Sequence, residues 1–393
     1  MKSSKNKLFD ACNIYILLWV CLHIQNMILS SSLVSMLFYI PYLLMTIYYI
    51  GKFFVSFRPR GVMLAFSIFF VVQLCYGALL LIFNNVSGTT SDAYLKVLFS
   101  SLAPIFAFYV FTKQGILTEK KIAIWFIIFI AVAIGEYYNT LQRGLLELDR
   151  EEMTNNASYS FVGLIPFVFI FREKRVWQFL ILAVLYYFIV SAMKRGGILI
   201  GAILLLWFAY ISLKSTPRRK KIGIMLLMSI FLFIGYSYVL DFYENSNYFQ
   251  RRFEQTVEGG SSGRDYIYST LWNDYCTNYN AIQLLFGKGA FYTQNIVGLK
   301  AHNDWLELLI DCGFIGVLLY LVYWISFAIE WKNSKSNYLT YSMFGACFLS
   351  TLAKTFFSMS YTDMPFYTCV IMGYCFAYPY THQNQQLSQN NKR

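Results

Sequence analysis

The sequence predicts an all-α polytopic membrane protein of about twelve transmembrane helices, with one long outer loop before the tenth. Three observations predict it. Of 393 residues, 58% are hydrophobic and 20% aromatic, while only 13% are charged, far from the average of soluble domains. Apolar runs recur from end to end, most of them about long enough to cross a hydrocarbon core of roughly 30 Å. The basic residues then alternate from side to side in the manner of the positive-inside rule.

In order, the runs lie near 12–29, 33–50, 62–83, 94–111, 122–138, 158–171, 176–192, 196–213, 222–240, 305–330, 338–358 and 363–378. The run at 158–171 is short, which fits a tilted or re-entrant segment. Residues 1–240 thus hold the first nine helices, 241–304 the long loop, and 305–393 the last three helices and a tail. All belong to one integral membrane domain. The opening "MKSSKNKLFD" leads straight into the first run with no small-residue cleavage site, so no cleavable signal peptide is expected.

With the N-terminus placed inside, "GKFFVSFRPR", "TKQGILTEKK", "REKR", "KSTPRRKK", "WKNSKS" and the two chain ends fall on the inner side. They hold about two thirds of the 32 Lys and Arg residues. The opposite loops "NNVSGTTSD" and "SMSYTD" carry none. The net charge of +12 therefore reports topology, and nucleic acid is not an expected partner. Seven of the eight cysteines fall in or beside apolar runs, and only Cys276 lies well inside the long loop, which reads as small buried hydrophobes rather than a disulfide framework. No Cys/His spacing for zinc, Walker motif or dinucleotide motif occurs, so a nucleotide-driven pump is excluded as a reading.

Two outer stretches run against the charge rule. The long loop carries Arg251, Arg252, Arg264, Lys288 and Lys300, and the tight turn "SAMKRGGILIG" carries Lys194 and Arg195. The glycines after Arg195 allow neighbouring backbone to come close. Ionisable groups within runs are functional candidates, and here Lys96, Glu136, Asp311 and Lys354 sit toward the outer ends. A transporter or lipid-linked glycan flippase would concentrate them at the midplane. The pattern fits a site at the outer membrane–water boundary.

The stretch "KAHNDWLELLIDCGFIGVLLYLVYW" (300–324) is the most informative. Asp304 with Glu307 three residues on reads as a capping box, which makes Asn an acceptable substitute at 304. His302 falls just before the cap, where the positive end of the helix dipole disfavours imidazolium. A neutral imidazole is what a general base needs near neutral pH. The other histidines are less well placed: His23 lies within the first run and His382 in the tail. Gly313 and Gly316 bare one patch of the helix for close contact.

These residues resemble the O-antigen ligase and O-antigen polymerase superfamily. "HNDWLELLIDCGFIG" looks like its His-Asn motif followed by nine residues and GxxG. "SAMKRGG" is similar to its short Arg-Gly turn, and "SSGRDYIYSTLW" to its Gly-Arg and Trp loop element. Arg252, ten residues and Gly263 loosely resemble an Arg-x10-Gly pattern of polymerases. The motif-level likeness covers 191–201 and 261–316, and the architecture covers most of the chain.

The resemblance implies a multi-pass protein of the bacterial inner membrane that transfers glycan at the periplasmic face. The donor would be a glycan on undecaprenyl diphosphate. The acceptor would be a hydroxyl of another lipid-linked repeat unit for a polymerase, or of lipid A–core for a ligase. Surface-polysaccharide polymerase is the favoured member of the pair, and a chain-length regulator protein is an implied partner. Carried over by residue, His302 is the inverting base, Arg195 and Arg264 the diphosphate clamp, and Arg251, Arg252 and Lys194 weaker substrate-binding candidates. No metal, nucleotide or other cofactor is implied.

Overall fold

The computed structural model describes residues 10–28, 31–83, 91–148, 153–257 and 263–390. Its first helices are α1 (Ala11–Ile28), α2 (Ser32–Ser56), α3 (Gly61–Phe83), α4 (Ser91–Ser101), α5 (Pro104–Lys113) and α6 (Glu119–Leu148). The short α7 (Ser158–Leu164) continues as a 3-10 turn to Phe171, and α8 (Arg175–Ser191), α9 (Arg195–Ser215) and α10 (Arg218–Asn245) follow. Four short helices come next: α11 (Asn247–Val257), α12 (Arg264–Asn278), α13 (Ala281–Phe286) and α14 (Tyr292–Val297). The chain then runs through α15 (Asp304–Asn333), α16 (Tyr338–Phe357) and α17 (Phe366–Asn390).

Among the described residues, eight helices are long and apolar enough to cross a membrane: α1, α2, α3, the α4–α5 pair, α6, α9, α10 and α15. The apolar stretches Ser158–Phe171, Arg175–Ser191 and Phe366–Tyr378 are shorter. Every apolar run of the sequence falls on helix, so the chain is an all-α, multi-pass membrane protein. The run at 94–111 is broken at Leu102–Ala103, because Pro104 lacks the N–H that would continue the α4 ladder and instead starts α5.

The helix faces sort by environment. Residues 104–112 of α5 are all buried, so this helix is surrounded by protein. It packs on α17 at Gly373, where even a methyl group would meet Phe108 Cβ at 2.5 Å and the Tyr109 amide nitrogen at 2.8 Å. By contrast no side chain of α10 is buried, and α2 buries only a few, which assigns their apolar faces to lipid.

The two ends of the bundle differ. At one end the basic segments gather: Lys121 pairs with Asp10, Arg175 donates to Ser215 (2.8 Å), and Lys214 lies over Tyr341 (5.7 Å). The other end carries the turn at 192–194 and the segment 246–303. The sequence reads 241–304 as one long loop, yet α10 runs on to Asn245, and the described residues from 246 to 303 are largely short helices packed through Ile267, Leu271 and Ala301 against Ile310.

Candidate active site

Lys194, Arg195, Arg264 and His302 are each positioned by a helix start. The α8–α9 turn is only three residues, 192–194, and Met193 closes it at a left-handed φ of 51°. That leaves Lys194 at the N-cap and Arg195 as the first residue of α9. Gly196 and Gly197 lie against α7. A Cβ at 196 would come within 2.5 Å of the Tyr159 hydroxyl, and one at 197 within 2.0 Å of Ser158 Oγ. The two glycines therefore let α7 and the start of α9 touch, as their place after Arg195 predicts.

Arg264 opens α12 after Gly263, whose φ of 81° is cheap only for glycine. Its Nη2 donates to the Phe357 carbonyl at 2.9 Å, at the end of α16. A Cβ at Gly196 would lie 3.3 Å from Phe357 Cβ. Phe357 thus joins the start of α9 to the start of α12.

His302 precedes α15 at a φ of 55°, a region costly for a residue with a Cβ, and it is half-buried. Burial first, and then the charges of Arg264, Lys194 and Lys300, hold its imidazole below its ordinary value, while Asp363 pulls the other way. Lys300 sits on Thr362 (3.4 Å). Lys354 reaches the Asp363 carboxylate (3.2 Å) and lies over the Tyr159 ring at 5.0 Å. The starts of α9, α12 and α15 thus converge, with Arg264, Lys194 and Lys300 bearing on one imidazole. Positive helix ends and guanidinium forks both favour an anion there.

The acidic residues of the stretch 304–311 have a different role from the one their order in sequence predicts. Asn303, not Asp304, is the N-cap: its side chain accepts from the amides of Trp305 (3.0 Å) and Leu306 (3.2 Å). Asp304 is fully buried and accepts from the amides of Ser360 (2.9 Å) and Tyr361 (3.3 Å) and from the Tyr320 hydroxyl (2.6 Å). Glu307 accepts from the Ala301 amide (2.6 Å), one residue before His302. Asp311 accepts from the amides of Phe291 (2.8 Å) and Thr293 (3.1 Å). The spacing i, i+3, i+7 puts the three carboxylates on one helix face, and each docks a different segment.

Gly313 is not a contact patch in a straight helix. Its φ of 64° kinks α15, and a Cβ there would meet the Gly287 nitrogen at 2.5 Å. Beside the kink the Ile310 and Asp311 carbonyls accept from the Lys288 (3.2 Å) and Gly289 (2.9 Å) amides instead. Gly316 does face α15's own Cys312 side chain.

Lys194, Arg264 and His302 are therefore brought together with Lys300, and Arg195 follows Lys194 as the first residue of α9. Arg251 is not in that group: it is exposed on α11 with Nε turned back to the Asn247 carbonyl (3.3 Å). Arg252 lies on α11, and its side chain falls outside the described residues. Sequence reasoning missed Asp363 and Tyr159, which carry no motif. Glu136 and His23 form a separate pair at 3.7 Å, with Ser160 donating to Glu136 (2.9 Å). Every cysteine among the described residues is a free thiol. No protein-family model, curated protein or solved structure matches this chain.

Proposed function

We propose that the protein polymerises surface-polysaccharide repeat units, moving a glycan from undecaprenyl diphosphate to a hydroxyl of a lipid-linked acceptor. In this reading twelve helices span the bacterial inner membrane, the N-terminus is cytoplasmic and the site faces the periplasm. Arg195 and Arg264 hold the diphosphate. The acceptor oxygen attacks the anomeric carbon from the face opposite the diphosphate, and His302 takes the proton from that hydroxyl. The bond between the anomeric carbon and the diphosphate oxygen breaks, the configuration inverts, and polyprenyl diphosphate leaves with the negative charge that the guanidinium groups stabilise.

The observation that carries the reading is the convergence of Arg264, Lys194 and Lys300 on a half-buried imidazole held below its ordinary pKa. Cations around a base do two compatible things: they attract the leaving diphosphate, and they keep the base unprotonated at neutral pH. The surface glycan of a strain lacking the gene tests it. A single repeat unit on the core marks a lost polymerase, and bare core marks a lost ligase instead. Precursor held on the cytoplasmic side marks a lost flippase. Cysteine labelling of 214–221 from inside and of 245–257 and 263–300 from outside tests the topology.

A further inference from the structure

We infer that an apolar slot between α8, α9 and α10 holds the first isoprene units of the lipid donor, directly below the cations that hold its diphosphate. This rests on the reading above. The slot has a volume of about 570 Å³ and is lined by Tyr186 and Ile189 of α8, Ile198 and Ala202 of α9, and Phe231 and Gly235 of α10. That volume sits within the range of about 300–1,000 Å³ usual for pockets that bind small molecules, so it fits a segment of a long chain.

Its placement points to the donor. Ile198 is three residues past Arg195, on the same face of α9 about one turn deeper. Ile189 leads within a turn into the Lys194–Arg195 corner. The slot's α9 wall therefore begins one turn below the Lys194–Arg195 corner. Tyr238 of α10 meets Ser191 of α8 at 2.8 Å and pins the slot's upper end. The flank of α10 is open, with Leu232, Ile234 and Tyr236 all more than half exposed, so a chain enters sideways from the bilayer.

Gly235 forms part of the slot's α10 wall. A glycine in a membrane helix usually allows a neighbour to approach, but an added Cβ at 235 meets nothing within 4 Å. At Gly201, by comparison, the Tyr186 ring is already at 3.3 Å. Gly235 thus leaves room on the slot's α10 wall, as Gly223 does elsewhere on the same exposed helix. A phospholipid tail shares the apolar chemistry, but its single phosphate makes poorer use of a rim built from Lys194, Arg195 and Arg264 than a diphosphate does.

The test is photo-cross-linking in phosphatidylethanolamine–phosphatidylglycerol vesicles. The probe is a polyprenyl diphosphate with a diazirine in its second isoprene unit, mapped by peptide mass spectrometry. The inference expects labelling of α8 and α10 around Tyr186 and Gly235, competed by unlabelled undecaprenyl diphosphate and not by added phospholipid. Gly235→Leu, whose Cβ meets nothing within 4 Å, should lower that labelling about tenfold, the effect of losing contact for roughly two methylene groups. Gly223→Leu, on the same helix outside the slot, should not change it.

Equal competition by phospholipid would assign the slot to bulk lipid and overturn the inference. So would full labelling in Gly235→Leu, or labelling elsewhere while the purified protein still transfers glycan. Slot labelling in a protein that transfers no glycan from any lipid-linked donor would sink the polymerase reading and leave the slot assignment standing.

Discussion

The acidic row of α15 and the cationic rim at its start lie within two turns of each other, and both read in sequence as charges crowded at a helix start. They use their charges in opposite ways. Asp304, Glu307 and Asp311 are at most 1% exposed, and each carboxylate accepts from backbone amides of a separate segment. Like charges in the rim instead gather: Arg264, Lys194 and Lys300 all bear on His302. A buried carboxylate ringed by amides is occupied in building the structure. Cations drawn from three separate segments toward a strained, half-buried imidazole make an arrangement suited to an incoming anion. The lesson is that the grouping of charges, not their presence, separates scaffold from site.

The comparison can be broken by substitution, and the largest effect is expected at the rim. His302→Ala should reduce glycan transfer by roughly 10²–10⁴-fold while the melting temperature of the purified protein holds. Transfer within twofold of wild type would return His302 to a structural role.

Next, Arg264→Ala and Arg195→Ala should each remove most transfer with the protein still accumulating in the membrane. Arg→Lys at either position should restore little, because a point charge cannot reproduce a bidentate grip on phosphate. Arg251→Ala, exposed on α11, should leave the same assay near wild type.

The acidic row should show the reverse pattern. Asp304→Ala strands the amides of Ser360 and Tyr361 and the Tyr320 hydroxyl, and at about 1–3 kcal/mol for a buried unsatisfied group it should lower thermal stability markedly. Asp304→Asn keeps one acceptor but turns an NH₂ toward donors, so it should be intermediate and not silent. Unchanged melting in Asp304→Ala would remove the scaffold role.

Much of this was legible in sequence. Period, length and charge alternation mark the helices, because lipid leaves a spanning segment few alternatives. The cations at 194, 195 and 264 and the imidazole at 302 stand out because they oppose the charge rule or border a helix start. What the sequence hides is partnership. The Asp304–Ser360 contact joins residues 56 apart, and no local pattern distinguishes it from a cap on its own helix. The kink at Gly313 is likewise decided by the approach of Gly287, and Asp363 enters only because α16 ends beside α9.

The central claim is that surrounding cations keep His302 neutral so that it can accept a proton, and the pH dependence of the initial transfer rate tests it most directly. A base whose pKa is lowered by burial and by like-signed neighbours is active above that lowered pKa and is lost as pH falls through it. Wild-type protein should therefore hold its rate down to a half-maximum below about 6.5, the ordinary histidine value. Lys300→Gln removes one of the depressing charges and should move that half-maximum to higher pH, with the rate at pH 8 little changed. A half-maximum at or above the ordinary value, or one that Lys300→Gln does not move, would contradict the account.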